Sequence, residues 1–366
     1  MKTIKRALML ILSLALVLTC SASIFSTPKN AYAQVNAILS VQNASFEQFD
    51  LQNNIPLGWS VAQTSAQTDF ITQNAYDGTQ YYQINDGELS LQTQSATQIN
   101  GAYDYVVGVK FIASSQNSTC KIGVSVFNGE NELIQTYYSE QTQAKLTNSW
   151  QDVSVGVAKD ANIVSAKIEI VIVADGSVGI DAVYGNVDCL TIYNGASISL
   201  ETLTTAIRFS GQVDKIVYDS IVQDYEDVSA GIIFMLTDKI DAVGEFSVKG
   251  FSTINYNCVL VQANYWSNTS TAEQDGCYKF HCSLVNLGQE QIQVELSARL
   301  YLNYTENGQE KYIYSNYSVE NNSRSVYSVA VRALADEKTF ATYDQVQKNI
   351  IMAYAENRMP DFENIG

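Results

Sequence analysis

The side chains best suited to covalent chemistry are few and lie close together in the sequence. The only histidine, His281, stands beside Cys282, and Cys277 precedes both. On an extended strand His281 and Cys282 point to opposite faces, so they do not converge as a base and a nucleophile or, with Cys277, on one zinc ion. The sequence also contains no glycine-rich phosphate loop, HExxH or Gly-x-Ser-x-Gly motif. These features argue against a histidine-dependent hydrolase and against a zinc site.

Carboxylates are abundant, and a pair of them is all that glycoside hydrolysis requires, so counting alone does not exclude that reaction. Acidic residues number 38 against 21 lysines and arginines, which gives a net charge of −17. A chain this acidic repels the phosphates of nucleic acids and anionic membrane surfaces, so we expect neither as a partner. With 23 tyrosines and only 3 prolines, the composition is typical of a soluble, β-rich protein.

The start of the chain has the features of a signal peptide. Three basic residues precede the apolar run from Ala7 to Leu18. This run is shorter than the roughly 20 residues of a transmembrane helix, and no comparable run follows, so we expect no transmembrane segment. Cleavage after Ala33 is favoured, and lipidation at Cys20 is the alternative, although Thr19 is a poor residue before a lipidated cysteine. We therefore expect residues 1–33 to be removed and the protein to be secreted.

Residues 34–195 alternate apolar and polar side chains in short runs separated by turns. The runs from Tyr103 to Phe111 and from Ala166 to Ile172 are examples. Because no amphipathic helix interrupts them, the pattern predicts half-buried antiparallel strands in a β-sandwich. The turn residues from Tyr193 to Ser197 place a domain boundary near residue 195.

Residues 196–366 mix strand and helix patterns and predict an α+β domain. Strands are expected at 246–251, 280–287 and 292–304. Val213, Val217 and Ile221 share one helical stripe, and a second stripe spans 326–334. A capping box from Thr342 to Gln345 predicts the start of a last helix.

Several short motifs in the first half occur in a fixed order. The motifs are Asn43-Ala44-Ser45-Phe46-Glu47, Ile55-Pro56-Leu57-Gly58-Trp59, Tyr76-Asp77-Gly78-Thr79, Ser149-Trp150-Gln151-Asp152-Val153 and Gly176-Ser177-Val178-Gly179-Ile180-Asp181-Ala182-Val183. Together they resemble the CenC-type carbohydrate-binding modules, which share the galactose-binding-like jelly roll. The resemblance implies a jelly-roll sandwich that binds a polysaccharide or another glycan, so we expect a mostly β chain with this sandwich followed by the α+β domain.

The same resemblance implies a structural calcium ion. In that family the opening Phe-Glu and the closing Ile-Asp-x-Val bind calcium together with backbone oxygens of the Asp-Gly turn. By position Glu47 and Asp181 would be side-chain ligands and Asp77 a contributor. Val187-Asp188-Cys189-Leu190 also fits the closing pattern, so Asp188 is the alternative to Asp181. Two carboxylates with carbonyl groups supply most of the six to eight oxygens that calcium takes; otherwise these are solvated turn carboxylates.

Strand alternation selects the aromatic side chains that could stack on a sugar ring. Tyr81 and Gln83 share the face opposite Tyr82 and Ile84, and one of Tyr137 and Tyr138 must point outward whichever face is buried. An aromatic ring beside amide groups suits the apolar faces and polar rims of sugars. Candidate carbohydrate-binding residues are therefore Tyr81, Gln83, Tyr137, Tyr138 and Trp59, although the family position of Trp59 usually packs inside or covers the sandwich.

The second half resembles, more loosely, a module of Gram-positive surface proteins. The similarity rests on Ile207-Arg208-Phe209, Tyr314-Ser315 and Arg324-Ser325-Val326. It implies an extracellular architecture and leaves room for a protein partner of this half. We favour a secreted, non-catalytic carbohydrate-binding protein. An accessory component of a glycoside hydrolase system and a surface adhesion protein are the alternatives.

The processing site yields the first testable prediction. The secreted protein should begin at Gln34, because Ala31-Tyr32-Ala33 fits a signal-peptidase site. Intact mass spectrometry of the exported protein measures this directly. A diacylglyceryl group on an N-terminal Cys20 would contradict it.

Overall fold

The computed structural model describes residues 37–201, 204–243, 245–249, 258–263 and 266–362. These described residues belong to one compact unit. The expected signal peptide, residues 1–33, lies outside them and its processing stays a prediction.

Twelve described strands precede residue 188. Ten of them form the first β-sandwich, and the first two pair with each other in a separate two-stranded sheet. Their pairing is antiparallel throughout, as the alternating pattern predicts. The strands are β1 (Phe49–Asp50), β2 (Ile55–Pro56), β3 (Trp59–Thr64), β4 (Gln67–Ile71), β5 (Tyr81–Thr93), β6 (Thr97–Gln98), β7 (Tyr105–Ala113), β8 (Thr119–Phe127), β9 (Leu133–Tyr138), β10 (Thr142–Gln143), β11 (Gln151–Val157) and β12 (Ser165–Val187).

Two long strands, β5 and β12, pass through both layers of this sandwich. The front sheet contains β4, residues 81–85 of β5, residues 177–187 of β12, β7 and β11. The back sheet contains β3, residues 89–93 of β5, residues 165–173 of β12, β8 and β9. Where the strands change sheet, Gly87 and Gly176 have φ of 117° and 79°, a backbone region that glycine adopts without strain. The Gly176 N–H donates to the Asp86 carboxylate at 2.8 Å, which joins the two bends.

The core lies between the inner faces of the two sheets. Each inner face presents alternate residues of its strands, as expected from the period of two. The buried residues, all at most 1 % exposed, include Tyr82, Ile84, Val107, Val109, Phe111, Val178 and Ile180 from the front sheet and Leu89, Leu91, Ile122, Val124, Val126, Ile168, Ile170 and Ile172 from the back sheet. Tyr103 precedes the strand that begins at Tyr105 and is half-buried.

The C-terminal half combines two antiparallel sheets with helices. One sheet has the order β13-β14-β17, and the other has the order β16-β15-β18-β19, with β20 beside β18. The strands are β13 (Leu190–Ile198), β14 (Ala206–Asp214), β15 (Glu226–Leu236), β16 (Cys258–Gln262), β17 (Cys277–Val285), β18 (Leu296–Glu306), β19 (Gln309–Tyr314) and β20 (Ser323–Arg324). The helices are α1 (Lys215–Asp224), α2 (Ile240–Val243), α3 (Thr269–Asp275), α4 (Val319–Asn322), α5 (Val326–Ala335), α6 (Glu337–Thr342) and α7 (Gln345–Ala355), with short 3₁₀ turns at Thr237–Lys239 and Gln289–Gln291.

Aromatic contact joins these two sheets. The rings of Phe209 on β14 and Phe234 on β15 meet edge to face, 5.7 Å apart, and both are at most 1 % exposed. The predicted helical stripes are confirmed in part. Val217 and Ile221 of α1 and Val326 and Ala330 of α5 are buried. Val213 instead lies in strand β14, and Leu334 is 40 % exposed. The predicted fold class, a mostly β chain with an antiparallel sandwich followed by an α+β part, is confirmed.

Two further local predictions for this half are wrong. Residues 246–249, the described part of the strand expected at 246–251, do not form a strand, and 250–251 lie outside the described residues. Phe246 instead packs on Ile233, Met235 and Tyr301, and Arg299 donates a side-chain hydrogen bond to its carbonyl at 2.8 Å. The last helix is capped by Asp344, whose carboxylate accepts from Gln347 N at 2.8 Å, because Thr342 already ends α6.

The expected boundary at residue 195 falls within β13. This strand pairs with β14 of the C-terminal half, and only Asp188 and Cys189 separate it from β12. The division into 34–195 and 196–366 stays a prediction. Along the described ranges, no helix is long and apolar enough to cross a membrane.

Candidate functional site

The outer surface of the front sheet, here called the front face, carries most of the notable polar side chains. Tyr82 and Ile84 point into the core, so Tyr81, Gln83 and Asn85 point outward. A row of paired positions crosses four neighbouring strands of this sheet. It consists of Asp69, Gln83, Gly179 and Ile112. The missing side chain at Gly179 leaves the space into which the Tyr81 ring packs.

Three aromatic rings, here called the aromatic corner, meet at one end of this row. The rings of Tyr81 and Trp150 are perpendicular, with centroids 5.4 Å apart. Tyr76 meets Trp150 at 5.9 Å and an angle of 72°. All three side chains are half-buried, so part of each ring stays accessible to a ligand.

A ladder of polar groups continues from the aromatic corner along β5. The Tyr81 hydroxyl donates to Gln83 Oε1 at 3.3 Å, and Gln83 Nε2 donates to Asn85 Oδ1 at 3.0 Å. Burial raises the pKa of the Tyr81 hydroxyl, so it is neutral and can donate a hydrogen bond at neutral pH. The corner and the ladder together offer apolar ring faces beside hydrogen-bonding groups.

The other predicted aromatic candidates lie elsewhere. Tyr138 lies on the outer surface of the back sheet over Gly123, is 49 % exposed, and has the Lys121 ammonium 4.0 Å from its ring centroid. Tyr137 is the half-buried neighbour paired with Val124. The two sheets turn their outer surfaces away from each other, so Tyr137 and Tyr138 do not join Tyr81 and Gln83 in one site.

Trp59 was a candidate carbohydrate-binding residue, and its position in the structure corrects this prediction. Its side chain is 1 % exposed and its ring lies 5.4 Å from that of Phe46, inside the sandwich. A fully buried indole cannot contact a polysaccharide. The structure therefore assigns Trp59 to the core.

A buried ion-pair cluster occupies the other half of the front face. Lys110 Nζ lies 2.6 Å from Glu245 Oε1 and 3.2 Å from Asp152 Oδ1. The side chains of Lys110 and Glu245 are only 8 % and 5 % exposed. Asp152 is the cross-strand neighbour of Lys110, whereas Glu245 comes from the C-terminal half.

The pKa values in this cluster favour the charged forms. Burial raises the pKa of Glu245, but the Lys110 ammonium and hydrogen bonds from Lys110, Tyr76 and Ser247 outweigh it, so the net shift is downward. Burial lowers the pKa of Lys110, and Asp152 and Glu245 outweigh that effect and raise it. The pair is therefore ionised at neutral pH.

Two tyrosine hydroxyls complete the cluster. The Tyr76 hydroxyl donates to Glu245 Oε1 at 2.7 Å, and the Tyr184 hydroxyl donates to Asp152 Oδ2 at 2.8 Å. Each carboxylate thus accepts one tyrosine hydroxyl and faces the same ammonium. These hydrogen bonds and the shared counter-charge offset the desolvation cost of burying the ion pair.

Two of the predicted metal ligands converge on the turn at residues 76–80. Glu47 Oε1 accepts from Thr79 N at 2.7 Å, and Glu47 Oε2 accepts from the Thr79 hydroxyl at 2.6 Å. Asp181 Oδ2 accepts from Asp77 N at 2.9 Å. Gly78, at the centre of the turn, has a φ of 73°, and a Cβ there would collide with the Glu47 carboxylate.

Asp181 is the more unusual of these two carboxylates. It is 0 % exposed and accepts hydrogen bonds from the backbone N–H groups of Asp77 and Ala182, the latter at 2.7 Å. Burial raises its pKa to about 7. A cation beside it would offset the cost of burying its charge.

The side chains of the other two predicted ligands point elsewhere. Asp77 Oδ2 forms an ion pair with Lys311 Nζ at 2.8 Å. The Asp77 side chain is therefore engaged, and only the Asp77 backbone remains as a possible ligand. Asp188 accepts from Asn316 Nδ2 at 2.7 Å and lies about 20 Å further along the chain from Asp181. Asp181 is therefore the better placed of the two alternatives. Within the described ranges no three acidic, histidine or cysteine side chains form a metal-type cluster.

The histidine and cysteine side chains that could do nucleophilic chemistry do not converge on one site. His281 pairs with Ser210 and Cys282 with Phe209, so their side chains lie on opposite faces of β17. Cys120, Cys189, Cys277 and Cys282 are free thiols. Burial raises the pKa of Cys282 to about 12, so this thiol is protonated at neutral pH and a poor nucleophile.

The architecture defines the first half as an antiparallel jelly-roll sandwich with an aromatic corner on one outer face. No protein-family profile matches the sequence. No curated protein gives a significant match either.

Solved structures give distant matches to about two fifths of the chain. The CBM22-1–GH10 modules of Clostridium thermocellum xylanase 10B with xylohexaose match at 12 % identity and a TM-score of 0.31, over 41 % of this chain and 28 % of that one. The CBM22-1 xylan-binding domain of Paenibacillus barcinonensis Xyn10C matches at 18 % and 0.26, over 39 % and 91 %. TmCBM61 in complex with β-1,4-galactotriose matches at 16 % and 0.28, over 40 % and 95 %.

From the sequence, Trp150 was expected to have a structural role because its family position usually packs inside or covers the sandwich. Asn85 and the ion-pair cluster were not predicted. The sequence does single out Lys110, because it is the one charged residue in the strand from Tyr105 to Ala113. Nothing in the local sequence singles out Glu245, since its partner Lys110 is 135 residues away.

The cluster predicts a strong dependence of stability on both charges. Lys110→Met should lower the free energy of unfolding by about 3–5 kcal/mol, because it leaves Glu245 buried without a counter-charge. The double variant Lys110→Met/Glu245→Gln should recover part of this loss. Urea unfolding at neutral pH measures both.

Lys121→Met is the matched control, because it removes an ammonium from the outer surface of the back sheet. Its effect should stay within about 1 kcal/mol. An equal effect of the two lysine substitutions would contradict a special role for the buried pair.

Proposed function

We propose that the mature chain is a secreted, non-catalytic protein that binds a polysaccharide or oligosaccharide at the aromatic corner of the front face. The observation that carries this proposal is the perpendicular, half-buried pair of Tyr81 and Trp150, 5.4 Å apart, beside the amides of Gln83 and Asn85.

The chemistry of sugars supports this assignment. A pyranose ring has apolar C–H faces and a rim of hydroxyls, so it suits a site with aromatic surfaces and a few hydrogen-bonding groups. The Tyr81 and Trp150 rings stand at a right angle, and the amide ladder runs from the Tyr81 hydroxyl. The groups of the ladder are uncharged, which favours a neutral glycan.

The secreted location is supported by the basic and apolar pattern of residues 1–33. The non-catalytic role is supported by the geometry of the front face. Glu245 and Asp152, the two carboxylates of the ion-pair cluster, are held by Lys110 and by tyrosine hydroxyls and do not face the aromatic corner as an acid and base pair.

Affinity gel electrophoresis of the mature chain tests the binding. Migration should be retarded by a soluble β-glucan, xylan or related neutral polymer. Tyr81→Ala and Trp150→Ala should each weaken binding at least roughly tenfold, because truncating a central aromatic anchor commonly costs about 2 kcal/mol.

Tyr138→Ala is the matched control, since it removes an exposed tyrosine from the back sheet. It should bind as the wild type does. Loss with Tyr138→Ala alone would move the site to the back sheet. Unretarded migration of the folded wild-type chain across a broad glycan panel would refute carbohydrate binding and favour a protein-interaction role.

We also propose that Glu47 and Asp181 hold a structural calcium ion with backbone oxygens of the 76–80 turn. Calcium supplies positive charge between carboxylates and carbonyls and so stabilises the folded state. The proposal is supported by the approach of both carboxylates to the same turn and by the complete burial of Asp181.

The calcium proposal predicts a metal-dependent melting temperature. A hundredfold excess over the dissociation constant stabilises by about 2.7 kcal/mol, enough for a shift of several degrees. Glu47→Ala and Asp181→Ala should abolish the difference between calcium and chelator, and Asp188→Ala should keep it. Superimposable wild-type melting curves in calcium and chelator would show that these are ordinary turn carboxylates.

A further inference from the structure

Described residues of the C-terminal half contact the aromatic corner at Tyr76. The Tyr76 hydroxyl donates to Glu245 Oε1 at 2.7 Å. The Lys249 ammonium lies 3.7 Å from the Tyr76 ring centroid and donates to the Tyr76 carbonyl. Two residues of the C-terminal half thus hold the hydroxyl, the ring face and the backbone of Tyr76.

Tyr76 in turn contacts Trp150, the central ring of the corner. The Tyr76 ring meets the indole at 5.9 Å, and the indole meets Tyr81 at 5.4 Å. The Trp150 N–H donates to Asn74 O at 3.0 Å, so the loop that carries Tyr76 also orients the indole. An unbroken series of contacts therefore runs from Glu245 to Tyr81.

Glu245 is itself fixed from both sides. Its carboxylate accepts from Lys110 of the front sheet at 2.6 Å. The adjacent Phe246 packs on Ile233, Met235 and Tyr301 of the C-terminal half, and Val248 N donates to the Tyr314 hydroxyl at 3.1 Å. The acceptor of the Tyr76 hydroxyl therefore has little freedom to move.

We infer that Glu245 is a positioning residue for the glycan site and that the site is built by both halves of the chain. This inference rests on the proposed function and deepens it. The Glu245 side chain is 5 % exposed, so it acts through Tyr76 rather than by touching the ligand. If the rings are already fixed before binding, the ligand does not have to order them, and less conformational entropy is lost on binding.

The sharpest test deletes one hydroxyl. Tyr76→Phe in the mature chain should lower affinity for the retarding glycan by roughly three- to tenfold, the equivalent of one hydrogen bond. It should also increase acrylamide quenching of Trp150 fluorescence, measured against a Trp150→Phe chain. Tyr184→Phe is the matched control, because that hydroxyl donates to Asp152 and not to Glu245. It should change neither quantity.

Substitution of Glu245 separates positioning from stability. Glu245→Gln keeps an oxygen acceptor for Tyr76 and should retain most of the affinity, whereas Glu245→Ala should behave like Tyr76→Phe. Both lose the ion pair with Lys110 and should melt at a lower temperature than the wild type.

The outcomes distinguish this inference from the proposed function. Wild-type affinity in both Tyr76→Phe and Glu245→Ala would overturn the positioning role while glycan binding stands. Equal loss in Glu245→Gln and Glu245→Ala would show that affinity follows overall stability and would also overturn it. A wild-type chain that binds no glycan refutes the proposed function, and the quenching data then still show whether Glu245 orders Trp150.

Discussion

Burial of the Lys110 ammonium is the constraint on which the arrangement of the two halves depends. A buried cation is tolerated only beside carboxylates, because the interior solvates it poorly. Asp152 on the adjacent strand provides one carboxylate, and Glu245, 135 residues away in the chain, provides the other. Glu245 therefore supplies to the front face a counter-charge that the first half does not provide. The C-terminal half is part of the structural context of the first sandwich.

The turn at residues 76–80 is where the two halves act on the same backbone. From the first half, Asp181 and Glu47 bind its N–H groups. From the second, Glu245 and Lys249 hold Tyr76, and Lys311 pairs with Asp77 at 2.8 Å. The turn lies between the proposed calcium ligands and the aromatic corner, so its geometry bears on stability and on ligand recognition together.

Local periodicity explains what the sequence could predict. Alternation correctly placed Tyr82 and Ile84 in the core and Tyr81 with Gln83 outside it, since side-chain direction in a strand depends only on neighbouring positions. The register between distant strands is not a local property. The separation of Tyr138 from Tyr81 onto different sheets, and the contact of Tyr81 with Trp150, could not be deduced for this reason. The strand expected at 246–251 was wrong for its described part, 246–249, because packing of Phe246 and side-chain hydrogen bonds replace strand pairing there.

The direct passage from β12 to β13 has a mechanical consequence. Only Asp188 and Cys189 lie between a central strand of the first sandwich and an edge strand of the next sheet. Two residues can extend by no more than about 7 Å, so this junction has almost no slack. Tension between a glycan held on the front face and a point in the C-terminal half would pass directly into the hydrogen-bond ladders of β12 and β13. The protein would respond to pulling as a stiff element, and it would yield by shearing strands rather than by stretching a tether.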